Sequence, residues 1–506
     1  MRPPLAAALA LLAATAVATA RAQPHYTLTP AAEEAYRTLI ELRLDEGRAQ
    51  VAALRTADRD NLIAVWLADY ADFFEAYVGV DEDRFEALED AYGDRLDELE
   101  ARGPADSPYH GYVRANMQLH WALARLKYGE YVTTFREARR AYKLLEANLA
   151  RFPGFPLARR ELGVLQAAVA TVPSGYQWGV ELVTGMDGDL AAGRRNLETA
   201  LDQLRAANSP FVAETEAIYA FFLLNLAREP EAAWALVGEA RGGEVGDDAG
   251  FADSPSPLAR FVAANVAMRT GRNDAAVDIL AGRPHSPRIL AFPYLDFMLG
   301  TCLQRRLDPR APVYLQSFLD QRAERGEFVK EAYQKLAWGA ALAGRDDDYF
   351  AHLRRATEVG TSVAGGDKNA MREAGRRRLP DVGLLRARLL FDGGYYDRAA
   401  AAIDAVDAAS LAGEEAVEHP YRAARIAAAR GRRDEAAALY KRTVSLGREA
   451  GAYFACKSAV ELGALAEDAG EPGAARAYYE LALDMRPDEY GPGLHQQARS
   501  GLARLR

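Results

Sequence analysis

Small and large apolar positions recur with a fixed spacing toward the end of this chain. Leu462-Gly463, Gly470, Ala475, Tyr479, Ala482 and Pro487 read as two helices joined by a turn at Gly470. Gly463 and Ala475 are small where the helices cross, Tyr479 fills the space beside the crossing, and Pro487 ends the second helix. The same register recurs upstream at Ala424, Gly431, Ala436, Tyr440 and Thr443, and again at Ala387, Gly394, Ala399 and Ile403. Tyr333, Leu336, Ala337 and Gly344 fit as well, with Tyr349 at the small position, so a looser crossing is expected there. The turn glycines 394, 431 and 470 lie 37 and 39 positions apart. Two earlier hairpins are expected: one with Leu299-Gly300 facing Tyr314 to Phe318, one turning at Gly271 with Ala264, Ala276 and Leu280 in register.

That spacing is the tetratricopeptide pattern. One such hairpin cannot bury its own apolar face, so the pattern predicts an all-α chain of helical hairpins stacked as an α-solenoid. The N-terminal half is also helical but less regular. Val113, Met117, Trp121, Ala124 and Tyr128 mark one apolar helix face, Gly129 turns the chain, and Pro153-Gly154-Phe155-Pro156 stops the next helix. Gly, Asp, Ser and Pro crowd residues 242–257, where no apolar period survives, so a loop is expected. The organisation read from this is 1–22 signal peptide, 23–241 N-terminal helical domain and 258–506 repeat array.

Arg2, an apolar run over 5–18 and Ala20-Arg21-Ala22 form a secretory signal with its cleavage site. Gln23 follows the cut and no Cys is near, so export to the periplasm without lipid attachment is expected. Cleavage removes two cations, taking the formal charge from −10 to −12. A nucleic-acid partner is disfavoured, since a duplex binder needs a positive face. No later segment has the length of a membrane span. Cys302 and Cys456 fall in separate repeats and read as small buried apolar residues, although an exported compartment permits disulfides.

No two of the seven histidines lie within four residues, and no Gly-rich phosphate loop or nucleophile elbow is present. Asp187-Gly188-Asp189 lacks the third donor and the turn glycine of a calcium loop, so it reads as a tight helix connection. The expectation is a non-enzymatic protein with no cofactor and no metal. Repeat geometry puts Trp338, Asp381, Arg388, Tyr421, Arg425 and Lys457 on the inner face of the first helices. Arg388 and Arg425 hold equivalent positions one hairpin apart and suit a carboxylate-bearing peptide. The competing expectation is that both pair with acids of adjacent helices. The functional reading is an exported scaffold or adaptor that holds a protein or peptide in a concave groove. The alternative is a glycan-binding component of an outer-membrane uptake system.

Leu162-Gly163, Pro173, Gly175-Tyr176, Trp178, Gly185-Met186-Asp187-Gly188-Asp189 and Gly193 stand together as one run. With Phe292-Pro293-Tyr294-Leu295, Leu299-Gly300, Leu307-Asp308, Asp367-Lys368 and 388–396, it resembles a tetratricopeptide family. That family includes the eukaryotic inclusion-body clearance proteins and exported bacterial proteins of unassigned role. The resemblance implies an all-helical repeat fold and non-enzymatic work. The eukaryotic members act at intracellular membranes and lipid bodies, whereas this chain starts with an export signal.

Overall fold

The computed structural model describes residues 23–79, 82–170, 185–238, 250–449 and 451–505. The signal segment, the 173–178 part of the motif run and the 242–249 part of the loop lie outside the described residues. Chain order through the described residues is helix after helix. The first ten are α1 (Pro30–Ile40), α2 (Leu44–Ala57), α3 (Ile63–Val78), α4 (Glu82–Arg102), α5 (Pro108–Lys127), α6 (Tyr131–Arg151), α7 (Pro156–Ala170), α8 (Leu190–Ala206), α9 (Val212–Phe222) and α10 (Pro230–Val237). Then come α11 (Pro257–Arg269), α12 (Asn273–Ala281), α13 (Tyr294–Arg305), α14 (Ala311–Arg322), α15 (Val329–Leu342), α16 (Asp346–Glu358) and α17 (Gly365–Arg376). The last seven are α18 (Val382–Asp392), α19 (Tyr396–Asp404), α20 (Glu414–Ala429), α21 (Arg433–Gly447), α22 (Tyr453–Asp468), α23 (Pro472–Asp484) and α24 (Gly491–Arg504). The β pairing found among the described residues is an isolated bridge between His25 and Asn61. The protein is therefore an all-α stack of tetratricopeptide-type hairpins.

The hairpin turns share one geometry. Gly271, Gly344, Gly394, Gly431 and Gly470 all have φ between +70° and +81°, the left-handed region that a Cβ disfavours. The residue after each glycine donates its N–H to a carbonyl five residues back: Arg272 to Ala267, Arg345 to Ala340, Tyr395 to Leu390, Arg432 to Ala427 and Glu471 to Ala466, each at 2.9 Å. This bond closes the first helix and aims the chain into the second. The α13–α14 turn makes the same bond, from Asp308 to Leu303 at 2.9 Å, with Leu307 at φ 63° where the others use glycine. Helix starts follow local chemistry too. Thr29, Ser107 and Ser256 cap α1, α5 and α11, each followed by a proline whose missing N–H costs nothing there.

The crossing positions read from the sequence are the buried ones. Ala387, Ala399, Ala424, Ala436, Ala475 and Ala482 are fully enclosed. A Cβ on Gly463 would fall 2.5 Å from the Tyr479 ring, and one on Gly300 would fall 2.8 Å from Leu315. Tyr349, the expected site of a looser crossing, is fully buried and sends its hydroxyl past the crossing to α17. In the N-terminal half Trp66 and Trp121 are fully buried, with their indole N–H groups donated to Asn116 and Asp69 at 2.9 Å. One apolar cluster joins Ala167, Leu197 and Ala220 to Ala263, Leu295 and Ala311, on either side of the 242–257 stretch.

Two further expectations meet the structure here. Cys302 and Cys456 are buried free thiols, and the Cys456 thiol donates to the Ala482 carbonyl at 3.4 Å. Asp189 caps α8, its carboxylate accepting the Ala192 N–H at 2.9 Å. Contacts in the array also reach beyond neighbouring repeats. The Gly394 turn rests on the Gly271 turn, and the Tyr395 hydroxyl meets Asn273 at 3.0 Å and donates to Asp274 at 2.6 Å. The coil is tight enough for a hairpin to reach one far upstream, because two opposed glycines let the turns touch.

Candidate binding groove

A cleft of about 100 Å³ opens on the side formed by the first helices of successive hairpins, α15, α18, α20 and α22. Trp338, Asp381 and Arg388 line it. Trp338 is buried and donates its indole N–H to the Glu373 carboxylate at 2.8 Å. The Arg388 guanidinium lies 4.7 Å from the Trp338 ring centroid, a cation–π distance. Asp381 caps α18 by accepting the Leu384 N–H at 2.8 Å, so its carboxylate serves the helix.

The other three expected residues stand outside that lining. Tyr421 is buried against Phe454, with ring centroids 5.1 Å apart. Arg425 lies 4.1 Å over the Phe391 ring and 3.8 Å from Asp392. Arg388 approaches the same Asp392 at 3.9 Å, so the two equivalent arginines share one acid. Each also covers an aromatic ring from the preceding first helix. Lys457 pairs with Glu461 at 2.6 Å and donates to Gln497 of α24 at 2.9 Å.

The larger part of the lining comes from residues that periodicity does not single out. α17 lies against the cleft and adds Asn369, Arg372, Glu373 and Arg376. The Glu373 carboxylate accepts from Gln334 Nε2 at 2.5 Å and Tyr349 Oη at 3.0 Å, besides Trp338. Arg372 meets Glu489 at 3.0 Å, and Arg376 meets Glu414 at 2.7 Å. At its other end Asp367 is fully buried and accepts the N–H of Phe328 at 2.7 Å and of Glu331 at 3.0 Å, capping α15 from a distance. Burial pushes the Asp367 carboxyl up to about 6, outweighing the two amide donors that favour its charged form. Burial likewise raises Glu414, against the pull of Arg376. The one sequence signal for α17 is spacing: Gly344 and Gly394 lie 50 positions apart, against 37 and 39 for the later turns.

A second polar cluster lies inside the N-terminal half. Arg160 is fully buried and reaches Glu161 and Glu214 at 2.6 Å, while Tyr36 and Tyr70 each donate to Glu214 at 3.1 Å. Burial alone would raise the Glu214 carboxyl; the Arg160 charge and the donated hydrogen bonds outweigh it and hold the group below its usual range. The members pair with one another, with the Arg160 Nε left without a hydrogen-bond partner. Among the described residues no tryptophan is exposed, and no helix is long and apolar enough to cross a membrane.

No family model matches the chain, and no curated protein matches it. Among solved structures, a human IFIT1 dimer with PPP-AAAA aligns over 89% of this chain and 89% of its own, at 17% identity and a TM-score of 0.33. A monomeric IFIT1 mutant with Gppp-AAAA aligns over 90% of each chain at 15% identity and 0.32. Yeast Tom70 aligns over 94% of this chain and 88% of its own, at 12% identity and 0.23. Superpositions at these scores carry no functional argument, and the fold assignment rests on the hairpins themselves.

Proposed function

We propose that the protein is a non-enzymatic, exported scaffold that holds a protein or peptide segment along the inner face of its repeat array. The observation that carries this reading is the cleft: first helices from successive hairpins supply one lining rich in arginine, carboxylate and aromatic groups. Such a lining offers guanidinium forks and ring faces, which suit side chains and backbone of a bound segment. Export rests on the charge, apolar run and small-residue site of residues 1–22, and intact mass of protein from the native host tests it.

The binding reading is tested with Arg388→Glu and Arg425→Glu combined. Arg388 lines the cleft and Arg425 stands one hairpin on. Their pairs with Asp392 are long and half-exposed, so what reversal removes within the fold is chiefly each arginine's contact with its ring, and recovery is compared per folded molecule. Partner recovery per folded molecule should fall at least ten-fold, with the melting temperature measured on the same variant. Unchanged recovery by the folded variant would remove these arginines from the site.

A further inference from the structure

α17 differs from the other helices of the array. It has no hairpin partner, and the side chains it buries are Asp367 and Ala370. Beside Ala370 and the half-buried Ala374, which packs on the apolar cluster around Trp338 and Tyr349, its attachment is polar. Asp367 fastens the first turn to α15, and Glu373 takes the donors of Gln334, Trp338 and Tyr349. Arg372 and Arg376 reach across to Glu489 and Glu414. Their partners come from α15, α16, α20 and the entry to α24, so α17 straps one flank of the cleft to the other.

A helix held this way resembles a bound ligand more than a core element. Arg372 and Arg376 are 40% and 41% exposed, and ion pairs so exposed contribute little each. Gly365, Gly366 and Gly375 make α17 a poor helix on its own. The Arg372 and Arg376 pairs are therefore the weak part of the attachment, while Asp367 and Glu373, each bonded to buried partners, are its fixed points.

We propose that the groove's partner is a helical segment carrying an acidic residue with a basic residue just before it and another three positions after, the order of Arg372-Glu373-x-x-Arg376, and that α17 is its built-in competitor. The partner's acid takes the donors of Gln334, Trp338 and Tyr349. Its bases take Glu489 and Glu414. The proposal rests on the peptide-binding reading of the groove and names the chemistry of the occupant.

The test uses the full chain and a fluorescein-labelled peptide of residues 365–380. Arg372→Ala, Glu373→Ala and Arg376→Ala together release the strap's second half and leave Asp367 in place; hydrogen exchange over 370–378 reports the release. Fluorescence anisotropy should show the peptide binding this variant at least ten-fold tighter than wild type. The same peptide with Glu373→Lys should lose that gain, and Trp338→Phe in the released variant should weaken binding several-fold. A released, folded variant that binds the peptide no tighter than wild type overturns the proposal. Should the triple variant melt early, Glu373→Gln alone carries the same prediction with a smaller gain. A partner that depends on Arg388 but is recovered equally with the strap docked or released removes α17 as competitor and leaves the groove reading standing. Peptide binding that ignores both the Lys substitution and Trp338→Phe also overturns the proposal.

Discussion

Gly163 and Gly193 face each other where α7 crosses α8. A Cβ on Gly163 would fall 2.8 Å from the Gly193 carbonyl oxygen, and a Cβ on Gly193 would fall 2.7 Å from that of Gly163. Backbone meets backbone here, so nothing flexible can yield. Gly193→Val should destabilise the chain by about 1–3 kcal/mol through overpacking. Urea unfolding checks this, and a midpoint equal to wild type would contradict the crossing.

Ala475 is fully buried at the α22–α23 crossing, and Glu471 stands exposed at the start of α23. Ala475→Leu should cost about 1–3 kcal/mol, whereas Glu471→Leu should stay within about 0.5 kcal/mol of wild type. Thermal unfolding of the pair decides it. Equal midpoints would show that the hairpin register is wrong.

Asp367 caps a helix that begins 38 residues before it in the chain, at Val329. Asp367→Ala leaves the Phe328 and Glu331 amides without their acceptor. Loss of a cap of this kind costs about 0.5–2 kcal/mol. Hydrogen exchange should rise first at the start of α15 and along α17, and unchanged protection at both would contradict the capping role.

His120 stacks on Phe73, with ring centroids 4.3 Å apart, and meets Tyr70 edge-on at 4.7 Å. Burial lowers its pKa to about 4, with Glu214 pulling it up and Arg160 pushing it down. A lowered histidine pKa means the unfolded chain takes the proton first. The stability linked to His120 is therefore complete above about pH 6.5, is lost as pH falls toward 4, and is flat below that. His120 keeps slight exposure, so the loss is about 1–3 kcal/mol. A His120→Phe variant should lack this part of the acid dependence. Parallel stability curves for the two proteins across that range would refute it.

The hairpins were legible in the sequence because their causes are local. Gly431 and Gly470 mark turns through their own φ, and Ala436 and Ala475 mark crossings within one hairpin. Leu307 does a turn glycine's work with a leucine, so its hairpin shows only in Leu299-Gly300 and the helix that follows. The Gly394–Gly271 contact joins segments 123 positions apart and leaves no periodic trace. Of the groove, repeat register placed Trp338, Asp381 and Arg388 on one lining, since first helices present equivalent faces. It put Tyr421 on the same face, but an aromatic at an inner position can turn into the next helix, and Tyr421 packs on Phe454. It missed Glu373, Arg372 and Arg376 altogether. Their helix is polar and pairs with residues far along the chain, and apolar periodicity is blind to such attachment.

The central claim is that the inner face of the array holds a partner. A photo-crosslinking amino acid placed at position 380, on the cleft, and at position 435, exposed on the second helix α21, tests it most directly in the native host. The account predicts one defined adduct from position 380, none from position 435, and loss of the adduct when the 365–380 peptide is supplied in excess to the strap-released variant. Adducts of equal yield from both positions, or from position 435 alone, would contradict it.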